Sequence, residues 1–154
     1  MLMLKSKFIY FILLFLSLIT PSHAENKTYD AHAETIKNIQ QERKECFEND
    51  QKHTTLSMTE CAGFGTKRLD ALMNIIWKDI KTTVKNNPDY FTTKNPFDSL
   101  LNAQRNWLKY RTSKCEFLSN FSGTMYRPII AECYYDENLA RTKELNGYLS
   151  FFIE

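Results

Sequence analysis

The run Asn95 to Asn120, NPFDSLLNAQRNWLKYRTSKCEFLSN, sets the fold. Asn95-Pro96 is a helix opening, with Asn as cap and Pro at the first position, where its missing N–H costs nothing. From there Phe97, Leu100, Leu101, Gln104, Trp107, Leu108, Arg111, Cys115 and Leu118 recur at helical spacing. At 100° per residue they share one arc of about 120°. The spacing predicts an amphipathic helix from Pro96 to about Asn120, closed by Ser122-Gly123. Two polar residues, Gln104 and Arg111, stand inside its apolar stripe.

The same period extends in both directions. Ile36, Ile39, Cys46 and Phe47 predict a first helix over Tyr29 to Asn49. Ser57-Met58-Thr59-Glu60 has the form of a capping box, opening a second helix from Met58 to about Lys85. Its apolar face is Ala62, Leu69, Leu72, Met73, Ile76, Trp77, Ile80 and Val84. Gly63 and Gly65 weaken its start by roughly 1 kcal/mol each relative to Ala, and mark an irregular beginning or a close crossing of the first helix. Asn86-Asn87-Pro88 ends it. After Gly123 a short helix around Met125 to Cys133 is expected, then a last one from about Asp136 to Leu149, burying Leu139, Leu145, Tyr148 and Leu149. The expected class is all-α: a small bundle of four to five helices, with Trp77, Trp107 and the aliphatic stripes of the second and third helices as core.

The chain has 154 residues and a formal net charge of +2. Lys5 and Lys7 account for the excess, because 18 basic residues face 18 acidic ones from Glu25 onward. Neutrality argues against a nucleic-acid binder built on a broad basic face. It also argues against a polybasic membrane-surface protein. Lys5 and Lys7 precede the apolar run Phe8 to Ile19, and Ser22-His23-Ala24 places small residues at −3 and −1. This is the pattern of a secretory signal cleaved after Ala24. The run is shorter than the roughly 20 residues that cross a bilayer, so no stable membrane anchor is expected after cleavage. The expected organisation is a leader over 1–24 and one helical domain over 25–154, periplasmic or secreted.

Export makes disulfides the default for Cys46, Cys61, Cys115 and Cys133. Of the three connectivities, Cys46–Cys61 with Cys115–Cys133 is favoured, since each pair joins neighbouring helices through one short turn. No Cys-x-x-Cys or His-x-x-x-His spacing supports a metal site, and no cofactor is expected. With all four cysteines paired, no catalytic thiol remains. Gly63-Phe64-Gly65-Thr66-Lys67 lacks the phosphate-loop spacing, and neither a nucleophile elbow nor His-Glu-x-x-His occurs. The chain does not read as an enzyme.

Arg111, inside an apolar stripe, needs a carboxylate. Asp70 is the expected partner, with Gln104 or Asn74 completing a structural network. Arg105, on the flank of the third helix, is a candidate for a surface contact or for the Asp70 pair.

Ala103-Gln104-Arg105-Asn106-Trp107-Leu108-Lys109-Tyr110-Arg111-Thr112-Ser113-Lys114-Cys115 resembles the signature Ala-Gln-Arg-x-Trp-x-x-(aromatic)-Arg-x-x-x-Cys of the lysozyme inhibitor LprI-like N-terminal domain family. Cys46 and Cys61 match its early pair, and Asp70 to Asn74 its Asp-x-x-Leu-Asn element, with Met73 in the Leu place. Cys133, Arg141 and Leu145 match its closing element. The likeness covers about residues 42 to 149. The chain departs from it at Ser122-Gly123-Thr124 and at Glu137-Asn138, where the family has Leu-Thr. The resemblance implies an exported helical domain that binds and inhibits lysozyme or another cell-wall hydrolase by protein–protein contact. The alternative is a periplasmic interaction, immunity or envelope-maintenance protein without that inhibition. Glu34, Glu45 and Glu48, or Asp136 and Glu137, are local acidic patches that could meet a basic hydrolase, or simply solvated helix faces. Oligomeric state is not readable from the sequence.

Overall fold

The computed structural model describes residues 21–50, 53–93 and 95–152. The apolar run of the expected leader lies outside the described residues. Four helices follow one another: α1 Pro21–Asn49, α2 Thr55–Asn86, α3 Pro96–Phe117 and α4 Tyr126–Leu149. Short 3-10 turns occupy Pro88–Tyr90, Leu118–Asn120 and Ser150–Phe152. The all-α expectation holds. Among the described residues, no helix is long and apolar enough to cross a membrane.

The disulfides are Cys46–Cys61 and Cys115–Cys133, as the spacing suggested. Each clamps a helical hairpin, α1–α2 or α3–α4, beside its turn. Cross-contacts give the directions. In the first hairpin Cys46 meets Cys61, Glu42 meets Arg68 and His32 meets Asp79, so the helices are antiparallel. In the second, Cys115 meets Cys133, Arg111 meets Asn138 and Gln104 meets Arg141. The hairpins join through α2 and α4, which lie side by side with Gly65 against Tyr135 and Asp70 against Asn138. Both disulfides therefore sit at one end of the bundle, and the α2–α3 linker is at the other.

Several local expectations need correction. The cap of α2 is Thr54, whose hydroxyl accepts from Ser57 N at 3.1 Å. Ser57 lies inside the first turn, so the Ser57–Glu60 box is not the opening; Thr54 is itself a good cap three residues earlier. Asn95 makes no side-chain cap bond; Pro96, with no N–H to satisfy and its φ preset for a helix, starts α3 without one. The expected break between Cys133 and Asp136 is absent. Tyr134 and Tyr135 carry one continuous α4, while Pro128 falls in its first turn, where no backbone bond is lost. Gly123, at φ +114, makes the turn before α4, a conformation that suits glycine.

The core is also distributed differently. It consists of Ile36 and Ile39 from α1, Leu69, Leu72, Met73, Ile76 and Ile80 from α2, and Tyr135, Leu145 and Leu149 from α4. Trp77 and Trp107 pack on its edge, half-buried. Of α3 only Cys115 is fully buried. The third helix is therefore a flank, held by its disulfide and by polar contacts as much as by apolar burial.

Candidate functional site

The residues of the α3 signature converge where α3 crosses α2 and α4. Arg111 donates from Nη1 to Asn138 Oδ1 at 2.6 Å and reaches Asp70 Oδ1 at 3.4 Å. Asn138 donates from Nδ2 to the same Asp70 oxygen at 2.9 Å and, at 3.3 Å, to the Thr66 carbonyl. One turn along, Arg141 donates from Nε to Gln104 Oε1 at 2.8 Å, and Gln104 Nε2 donates to Met73 Sδ at 3.3 Å. Arg141 also pairs with Glu144 at 2.7 Å. The Trp107 ring lies between these centres, 5.0 Å from the Arg111 guanidinium carbon and 5.9 Å from that of Arg141. Arg111 further lies 5.6 Å from the Tyr134 ring.

Burial makes these contacts matter. Asn138 is fully buried and Arg141 is 5% exposed. Cations in such positions are costly without partners, and each has a carboxylate or amide oxygen and an indole face. Burial alone would raise the Glu144 carboxyl, but hydrogen bonds from Tyr148 and Arg141 hold it below its ordinary range. Those bonds stabilise the charged form more than desolvation penalises it.

Of the expected residues, Asp70, Gln104, Trp107, Arg111 and Arg141 are brought together. The Arg111–Asp70 pair exists, and it is Asn138 that completes it, rather than Gln104 or Asn74. Gln104 belongs to the neighbouring Arg141 centre. Arg105 does not pair with Asp70; it is exposed and, with Asp70 and Asn74, lines a cleft of about 340 Å³ between α2 and α3. Asn138 was not anticipated, because the expected break placed it near a helix start. Its signal was the spacing Asn138, Thr142, Leu145, Asn146, Leu149, one helical face on which three polar residues alternate with leucines. All five are buried. On the opposite flank, Arg43 pairs with Glu132 and stacks 4.4 Å from the centre of the Tyr135 ring.

Three of the five acids in the expected patches are ion-paired, and among the described residues Glu45 accepts only from the Gln41 amide at 2.8 Å. Glu34 faces Lys37, Glu48 faces Lys44, and Glu137 faces Lys114, whose ammonium pKa is raised by the hydrogen bond to that carboxylate. Asp136 stands apart from such pairing. Burial, then the neighbouring Glu132 charge, push its carboxyl above the usual range.

No curated protein and no solved structure matches the chain. A family model described as lysozyme inhibitor LprI matches residues 46–145. That span starts at the first disulfide cysteine, ends in the buried face of α4, and contains both clamped turns and the Arg111 and Arg141 centres. The chain thus belongs to the LprI lysozyme inhibitor family.

Proposed function

We propose that the protein is an exported inhibitor of lysozyme or a related cell-wall hydrolase, acting by protein–protein contact. The observation that carries this reading is the family match over residues 46–145, which takes in both disulfides and the network that joins α2, α3 and α4. The family is one of inhibitors, so a binding role is favoured over catalysis at that level. The Asp70–Asn138–Arg111 centre supports this division of labour, because its groups bind one another across three helices and hold the scaffold. Recognition then falls to the surface.

The local pairing of Glu34, Glu48 and Glu137 leaves little acidic field to steer a basic hydrolase. Shape and a few exposed side chains must supply the affinity. The test is a lysis assay in which the purified protein is added to lysozymes of several types with cell-wall substrate. Dose-dependent protection at micromolar protein is expected. Unimpaired lysis with every type would overturn the reading. The leader over residues 1–24 and two disulfides favour an oxidising compartment. N-terminal sequencing of the exported protein should begin at Glu25.

A further inference from the structure

We propose that the groove between α2 and α3 binds an acidic polysaccharide. Two neighbouring concavities make up this groove. One is the cleft of about 340 Å³ lined by Asp70, Asn74, Trp77, Gln104, Arg105 and Trp107, among others. The second, about 590 Å³, is lined by Lys81, Lys85, Phe91 and Phe97, with Asp98 on its α3 wall. The packed rings of Trp77, which lines the first, and Phe97, which lines the second, stand between them with centroids 4.8 Å apart. Along α2 the groove runs from Asp70 to Lys85, about 22 Å at helical rise, so it suits an extended chain rather than a compact ligand.

Its chemistry is mixed in a particular way. Trp77 and Trp107 are both half-buried and line the cleft; with Arg111 and Arg141 already over the Trp107 ring, it is Trp77 that offers apolar ring surface to the C–H face of a sugar. Beside them stand groups with hydrogen-bonding capacity to spare. Asp70 uses only Oδ1 in the interior network, and its side chain is 49% exposed. Asn74 and Arg105 are exposed, with no hydrogen bond or ion pair among the described residues. Sugar hydroxyls are both donors and acceptors, and this set offers both.

Charge supplies the second, independent observation. Lys67, Lys78, Lys81 and Lys85 are exposed and fall within roughly 60° of one another on α2. None forms an ion pair among the described residues, although most acids of α1 and α4 do. Asn74 belongs to this stripe and to the cleft alike, so the lysines edge the groove. A protein that is neutral from Glu25 onward thus carries an unpaired basic edge beside its two indoles. Aromatic and basic residues together also suit single-stranded nucleic acid. A deoxy strand, however, has no free hydroxyl along its length to donate to the spare Asp70 oxygen. A uronate polysaccharide carries both groups on each sugar, a carboxylate for the lysines and hydroxyls for Asp70. The proposal is independent of the lysozyme reading and would survive its failure.

Trp77 and Trp107 are the two tryptophans of the chain, so intrinsic fluorescence reports on the groove alone. The full protein should be titrated with oligogalacturonate, with neutral dextran, with polyglutamate and with oligodeoxythymidylate. Saturable change in tryptophan emission with oligogalacturonate, weakened by salt, is expected. Lys78→Gln/Lys81→Gln/Lys85→Gln should weaken it about tenfold while leaving the melting temperature unchanged, since these side chains are exposed. Asn74→Ala, which removes no charge, should weaken it without altering its salt dependence. Response to polyglutamate or oligodeoxythymidylate as strong as to oligogalacturonate would overturn the proposal. So would equal response to dextran, absence of any response, or wild-type binding by the triple variant.

Discussion

Arg111 lies closer to Asn138, at 2.6 Å, than to Asp70, at 3.4 Å. The amide therefore mediates the ion pair: its oxygen accepts from Arg111 while its nitrogen donates to Asp70. Three helices meet in this one exchange. Asn138→Ala should consequently cost as much as removing either charge, about 2–4 kcal/mol, because a guanidinium that is mostly out of water loses its best acceptor. Arg111→Ala should lower stability by a similar amount. Arg111→Lys should not restore it, since an ammonium cannot reproduce the planar guanidinium on Trp107. Urea unfolding checks all three. A loss below about 1 kcal/mol for Asn138→Ala would show that Asp70 is the true anchor.

Gly63 and Gly65 should respond oppositely to the same substitution. A Cβ on Gly65 would lie 2.6 Å from Tyr135 Cε2 and 2.8 Å from Cδ2, and that ring is buried under Arg43. Gly65→Ala forces α2 and α4 apart, at a cost of about 1–3 kcal/mol that exceeds the gain in helix propensity. A Cβ on Gly63 meets nothing within 4 Å. Gly63→Ala should raise stability by up to about 1 kcal/mol. Thermal melts of the two variants suffice. Shifts of the same sign would contradict the close α2–α4 crossing.

These two sites show why part of the fold was legible and part was not. Stripes such as Leu69, Leu72, Met73, Ile76 and Ile80 announce a helix and its buried face, because apolar periodicity survives any tertiary arrangement. Which helices share the core is a pairwise matter. The aromatic-rich stripe of α3 looks like the best core helix, yet α3 lies on the flank, while α4, with buried Asn138, Thr142 and Asn146, runs through the middle. A buried polar face reads as solvent-facing until its partners are known. The second glycine was legible as a crossing, but the element crossing there is α4 through Tyr135, with only the Arg43 side chain of α1 nearby. The Arg111–Asp70 pair could be inferred from the cost of an unpaired cation. Its mediator could not, because Asn138 comes from a helix whose start was misplaced by ten residues or so.

Loss of the two disulfides should have unequal structural consequences. Their loops span 15 and 18 residues, so each contributes about 3 kcal/mol in the chain-entropy model. The α1–α2 hairpin also buries Ile36 and Ile39 against α2 and α4. By contrast, α3 buries only Cys115. Cys115→Ala/Cys133→Ala should therefore release α3 locally, raising amide exchange across Pro96–Phe117 well before global unfolding. Cys46→Ala/Cys61→Ala should lower global stability with α3 still protected. Exchange measured by mass spectrometry distinguishes them. Uniform loss of protection in the first variant would mean that the Arg111 and Arg141 centres alone cannot be separated from the core.

Acidification should act on two carboxylates in opposite directions. Glu144 has its folded pKa depressed by Tyr148 and Arg141, despite burial. Its contribution is present above the unfolded carboxylate pKa and is lost as pH falls through the folded value. Asp136 has its folded pKa raised, first by burial and then by Glu132. The folded state is therefore penalised as pH rises through the unfolded and then the folded value, and the penalty persists at neutral pH. Asp136→Asn should be more stable than the parent at neutral pH, and the difference should vanish once both states are protonated in acid. Glu144→Gln should be less stable at neutral pH, with a shallower decline on acidification. Melting temperatures measured from pH 3 to pH 7 would test both signs. If Asp136→Asn proves less stable at neutral pH, the carboxylate is held by Arg43 rather than penalised by Glu132.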